Sequence, residues 1–193
     1  MIRILCIGDS NTYGYDPRSY FGDRYPEDIR WTGLLSRAGY EIINCGQNGR
    51  EIPTREVQFA SFAQMIRETQ PLDLVTVMLG TNDLLQHSRF TAEDVTERMD
   101  RFLSHLILSL PDARFLLISP PPMQPGEWVN EERLVTESAR LGHCYAELAA
   151  RLGIGFTDAG EWGVELCFDG VHFSSTGHTT FVTGFLRGIT SNF

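Results

Sequence analysis

Ile2-Arg3-Ile4-Leu5-Cys6-Ile7-Gly8-Asp9-Ser10-Asn11-Thr12-Tyr13-Gly14 is an apolar run of strand length, a tight glycine turn and a serine, followed by residues that a helix accepts. This order places the Ser10 hydroxyl where a strand ends and a helix begins, the edge on which open α/β sheets carry their chemistry. Backbone N–H groups at a helix start have no intrahelical partner and the local dipole is positive, so an oxygen gaining negative charge nearby is stabilised. Ser10 is therefore a candidate nucleophile. Glycine, aspartate and serine are also ordinary turn residues, so the tripeptide alone does not separate a catalytic turn from a plain one.

The rest of the chain repeats the strand-then-helix pattern. Strand-length apolar runs fall at Ile2–Ile7, Glu41–Cys45, Leu72–Leu79, Ala113–Ser119 and Ile154–Phe156. Between them lie segments of helical period. Phe59, Phe62, Ala63 and Ile66 mark one face, Val95, Met99, Phe102, Leu103, Leu106 and Leu110 a second, and Leu134, Ser138, Leu141, Tyr145, Leu148 and Leu152 a third. A shorter helix from about Trp31 to Ala38 is closed by Gly39, and Ser174 or Ser175 caps a terminal helix with Phe181, Phe185 and Ile189 inward. Strands alternating with helices imply a parallel sheet covered on both faces, an α/β fold. Pro120-Pro121-Pro122-Met123 cannot continue a helix or a ladder, so a stiff surface loop is expected through Trp128.

Composition narrows the function classes. A chain of 193 residues, 42% hydrophobic and 21% charged, fits a single domain spanning residues 1–193. Sixteen Lys and Arg against 25 Asp and Glu leave a net charge of −9 without a basic cluster, so nucleic acid and anionic membrane surfaces are not expected partners. No apolar run approaches the ~20 residues that cross a bilayer. The opening residues lack the cleavage site of an export signal, and a cytoplasmic location is expected. Cys6, Cys45, Cys144 and Cys167 show no CxxC spacing, so reduced thiols are expected, with neither a metal nor a cofactor. An acidic surface and the Pro120–Trp128 loop are compatible with a homo-oligomer.

Each polar, glycine-bearing segment follows a strand: Ser10 the first, Gly46 the second, Asn82 the third, Asp169 and His172 the fifth. In a parallel sheet these ends share one edge, so they can converge on one cleft. A serine needs a base to take its proton, and an imidazole serves best when a carboxylate holds its other nitrogen. Asp169 and His172, on one loop before a helix, suit that pairing. His87 lies in a polar loop, His105 and His143 lie within helices, and His178 suits packing. Attack on an ester carbonyl also needs fixed donors for the new oxyanion. The N–H groups of Ser10 and Gly46 and the amide of Asn82 are the candidates, with Asn11 and Asn48 as competitors read first as turn residues. Asp9 is read as bracing the turn.

Gly8-Asp9-Ser10, Gly46 in an Asn-x-Gly-x-x-Gly context, Gly80-Thr81-Asn82-Asp83 and Asp169-x-x-His172 resemble, in order and spacing, the four blocks of the SGNH (GDSL) hydrolases. The resemblance implies a flavodoxin-like three-layer α/β/α sandwich with five parallel strands. It also implies Ser10, Asp169 and His172 as triad, Ser10, Gly46 and Asn82 as oxyanion donors, and a small-molecule ester as substrate. The stretches Arg24–Gly33 and Ser119–Pro122 resemble more narrowly the bacterial arylesterase and acyltransferase branch. Asn11 replaces the usual leucine after the serine, and Tyr13 stands where that branch tends to have tryptophan. Both join Pro122 and Val171 as substrate-pocket candidates. A carbohydrate acetyl esterase is the alternative within this class, and a flavodoxin-like nucleotide or flavin binding module is the alternative outside it.

Overall fold

The computed structural model describes residues 1–192. Strands β1 (Arg3–Gly8), β2 (Glu41–Gly46), β3 (Leu74–Met78), β4 (Phe115–Ser119) and β5 (Gly155–Asp158) form one sheet in the order β2-β1-β3-β4-β5. Every pairing is parallel. The helices are α1 (Ser10–Tyr13), α2 (Trp31–Arg37), α3 (Glu56–Thr69), α4 (Thr81–Gln86), α5 (Ala92–Ser109), α6 (Glu132–Leu152) and α7 (Ser175–Asn192), with a 3-10 turn over Ala159–Trp162.

Both faces of the sheet are covered, which explains why the inner strands β1, β3 and β4 are largely apolar rather than alternating with polar residues. Leu5, Ile7, Val75, Val77 and Leu117 point into one core with Phe59 and Ile66 of α3, Phe102 of α5 and Tyr145 of α6. Their neighbours Ile4, Cys6, Leu74, Leu116 and Ile118 point the other way, onto Trp31 and Leu35 of α2 and Phe181 and Phe185 of α7. Each such side chain contributes about 1.5–3 kcal/mol of burial free energy before chain entropy is set against it. The result is the expected α/β/α sandwich of flavodoxin-like strand order.

The order of the strands fixes where a cleft can form. After β1 the chain moves outward to β2, then returns to place β3 on the other side of β1, so adjacent connections diverge between the ends of β1 and β3. Gly8 at the end of β1 pairs with Gly46 of β2 and Met78 of β3, which brings the loops after all three to one level.

Thr81–Gln86 forms a short helix after β3, an element to which the sequence reading gave no secondary structure, with Asp83 in its first turn. One segment differs from the sequence reading. The Pro120–Trp128 segment is not a free surface loop: Pro120, Pro121 and Met123 are buried. Gln124, Glu127 and Trp128 donate their N–H groups to the carbonyls of Gly170, Phe168 and Asp169. The segment braces the loop that carries Asp169 and His172.

Candidate active site

Asp9 caps α1, its Oδ1 accepting the Asn11 N–H at 2.9 Å, and Gly14 closes that single turn in the left-handed conformation. The cap puts Ser10 at the first helical position, with its side chain above the sheet edge. At the far end of the chain Asp169 shapes its own loop by accepting the N–H groups of Val171 (2.9 Å) and His172 (3.0 Å) on Oδ1. Its free Oδ2 lies 2.6 Å from His172 Nδ1, and His172 Nε2 lies 2.9 Å from Ser10 Oγ. All three side chains are nearly inaccessible to solvent.

Burial alone would raise the Asp169 carboxyl, but the hydrogen bonds from the His172 ring and from the two N–H groups outweigh it and hold it below the ordinary value. Asp9 shows the opposite balance. Burial pushes its carboxyl up to about 6 despite the Asn11 N–H and the nearby His172 and Arg50. The Asp169 carboxylate is thus equipped to face an imidazolium, while Asp9 serves the turn.

A cavity of about 360 Å³ opens over these groups, lined by Ser10, His172, Asn82, Gly49, Tyr15 and Trp128, with Asn48 and Gln86 at its edge. Asn82 stands in the first turn of α4 and its Nδ2 donates to Arg50 O at 3.2 Å. Tyr15 and Trp128 meet the His172 ring edge-on, at centroid distances of 4.8 and 5.0 Å.

The Gly46 assignment needs correction. Its N–H is already donated to Asn44 Oδ1 at 2.9 Å. A Cβ there would fall 2.1 Å from Tyr13 N, so this glycine permits β2 to pass against α1 and does not border the cavity. Gly49 does border it. It sits at φ +69° in a turn closed by Arg50 N–H on Gln47 O (3.2 Å), a conformation glycine adopts without penalty. The sequence signal was the second glycine of the Asn-x-Gly-x-x-Gly context: Asn48-Gly49 is a turn dipeptide.

The four pocket candidates lie elsewhere. Asn11 is buried, with Oδ1 accepting Phe173 N–H (2.9 Å) and Nδ2 donating to Val171 O (3.0 Å). Tyr13 lies under the Arg24 guanidinium, 4.5 Å from its ring centroid. Pro122 packs toward Gly160, and Val171 belongs to the core. Tyr15 and Trp128, which composition did not single out, occupy the wall instead. His178 is buried between the rings of Tyr25 and Phe173, as its position suggested. Among the described residues no group of three His, Cys, Asp or Glu side chains is placed to hold a metal ion.

A family model described as GDSL-like lipase/acylhydrolase matches residues 6–180. The chain belongs to that family. An aryl esterase from M. smegmatis is 28% identical, with a TM-score of 0.84 and 100% of each chain covered. A carbohydrate acetylesterase from Sinorhizobium meliloti is 25% identical at a TM-score of 0.86, again over 100% of both chains. A member of the lipolytic G-D-S-L family from Veillonella parvula, 18% identical, shares the fold at a TM-score of 0.72 over 98% of this chain and 99% of its own. No curated protein matches the sequence. As a GDSL-family protein with these likenesses, the chain is a carboxylic ester hydrolase. Among the described residues no helix is long and apolar enough to cross a membrane.

Proposed function

We propose that this GDSL-family hydrolase is a serine esterase that cleaves small or short-chain aryl and alkyl esters through an acyl-enzyme. The observation carrying the proposal is the unbroken hydrogen-bonded chain from Asp169 Oδ2 through His172 to Ser10 Oγ. His172 Nε2 takes the Ser10 proton as Oγ attacks the ester carbonyl carbon, and Asp169 holds the ring in the tautomer that leaves Nε2 free to accept. As the tetrahedral intermediate collapses, His172 returns the proton to the departing alcohol. Water, or a second alcohol in acyl transfer, then attacks the acyl-enzyme with the same base.

The oxyanion is assigned to the N–H of Ser10, the N–H of Gly49 and the Asn82 amide. Support comes from Ser10 standing at the first helical position, from Gly49 and Asn82 bordering the same cavity, and from the Gly46 N–H being already bonded. Each donor of this kind is worth on the order of 3 kcal/mol of barrier. The small cavity also suits removal of acetyl groups from sugars, a reading favoured by likeness to the S. meliloti acetylesterase. Four unpaired cysteines fit a reducing compartment such as the cytoplasm.

Phenyl acetate hydrolysis by the wild type and by Ser10→Ala tests the proposal. Loss of about a thousandfold or more in kcat is expected. Equal rates would defeat it.

A further inference from the structure

Beyond Gly49 the structure holds a second and larger cavity, of about 590 Å³. Gly49 borders both, so the second cavity neighbours the one over Ser10, on the far side of the proposed oxyanion donor. The wall of the second cavity includes Arg50, Arg98, His87, Glu51, Gln58 and Phe62.

The charged groups on this wall divide into one ion-paired cluster and one arginine outside it. Arg98 Nη1 is paired with Asp83 Oδ1 at 2.8 Å and with Glu51 Oε2 at 3.0 Å, and His87 Nε2 lies 2.6 Å from the same Glu51 oxygen. Arg98 thus lies between two carboxylates. Arg50 stands outside this cluster and makes no direct ion pair among the described residues, although its charge reaches the buried Asp9 carboxyl. Its Nη1 donates to the main-chain carbonyls of Gly8 and Cys45, and its Nη2 to the Gln47 side-chain oxygen at 3.0 Å. No acidic side chain among the described residues lies within ion-pair distance of it. Among the described residues the Nε–H and one Nη2–H have no protein acceptor. The head is fixed by its carbonyl contacts and by the Phe62 ring, whose centroid lies 5.4 Å from Cζ. A held guanidinium with open donors is suited to a carboxylate.

Resting on the esterase reading, we infer that the cavity beyond Gly49 is a subsite for a carboxylate carried by the substrate, with Arg50 as its cationic partner. The favoured substrates are then esters bearing a free carboxylate within reach of the ester carbonyl. Neutral esters of the same shape use only the smaller cavity.

Two pairs of esters separate a carboxylate on the acyl side from one on the alcohol side. Phenyl hemisuccinate is compared with phenyl succinamate, and 3-acetoxybenzoate with 3-acetoxybenzamide, each after subtraction of the uncatalysed rate. In at least one pair the carboxylate ester is expected to have a kcat/KM about tenfold higher at low salt, and added salt should reduce that ratio. The responding pair identifies the side. Gln58 Oε1 caps α3 by accepting the N–H groups of Thr54 and Arg55, a role that glutamate keeps. Gln58→Glu places a negative charge on the same wall and should bring the ratio toward one. Because the readout is a ratio within each variant, a general loss of activity cancels. Ratios at or below one in both pairs, or a preference indifferent to Gln58→Glu, would overturn the subsite while leaving the esterase reading intact. No phenol release from any of the esters would remove both.

Discussion

Asn11 clasps the backbone on both sides of His172, its amide oxygen bound to Phe173 N–H and its amide nitrogen to Val171 O. The residue next to the proposed nucleophile therefore fixes the loop of the proposed base, across 162 positions of sequence. A leucine at this position can do neither. Asn11→Leu leaves two buried backbone groups unpaired, at about 1–3 kcal/mol each. A lower melting temperature is expected, together with a fall of about 10- to 100-fold in kcat as the imidazole loses its alignment with Ser10. KM should change little. Steady-state kinetics with thermal unfolding check this, and an unchanged kcat would show that the 171–173 backbone is held without the amide.

Asn82 provides a sharper test of the oxyanion assignment, because its side chain touches neither the Ser10 hydroxyl nor the imidazole. Asn82→Ala should lower kcat by about 10²–10³ with KM nearly constant, the pattern for a donor used only in the transition state. A loss confined to KM would place the amide in ground-state binding instead.

Gly126 links the proline-rich segment to the triad loop. An added Cβ would lie 2.5 Å from both Asp169 C and Gly170 N, contacts with main chain that cannot swing aside. Gly126→Ala should separate the two segments, breaking the Trp128 N–H bond to Asp169 O (3.1 Å) and destabilising the protein by about 1–3 kcal/mol. Faster hydrogen exchange at the Trp128 amide, with reduced esterase activity, is the expected outcome. Native protection at that amide would show the contact to be dispensable.

The strands and long helices were legible because their apolar spacing reports burial directly: the same six core positions that marked Val95 to Leu110 are buried in and just after α5. Ser10, Asn82, Asp169 and His172 were legible because each follows a strand and the sheet brings those ends together. What sequence did not reveal depends on which hydrogen bond a group has already made. Gly46 and Gly49 share one motif, and what separates them is the Asn44 side chain on the first N–H and the packing of Gly46 against Tyr13. Asn11 read as a turn residue because its two acceptor and donor partners lie at the other end of the chain. Trp128 reached the cavity through loop-to-loop bonds that carry no periodic signal.

The pH dependence of stability offers a test of Asp9 that does not rely on catalysis. Burial raises its folded-state value from 3.8 to about 6, so between these limits the folded protein binds more protons than the unfolded chain. Its contribution is therefore most favourable below pH 3.8 and is lost as pH rises through 6. His178 works in the other direction. Burial lowers it from 6.5 to about 3, so it destabilises the fold progressively as pH falls through that range. The two trends overlap in the wild type, and Asp9→Asn separates them. Asparagine keeps an oxygen for the Asn11 N–H, and its loss of the long contact to Asn82 Nδ2 (3.5 Å) is a constant offset in pH. The stability of Asp9→Asn relative to wild type should therefore rise by on the order of 3 kcal/mol between pH 3.8 and 6, and then level off. Urea unfolding of both proteins across this range measures the difference. A flat difference would mean that Asp9 is ionised in the fold at no cost, and that Arg50 and the Asn11 N–H fully offset its burial.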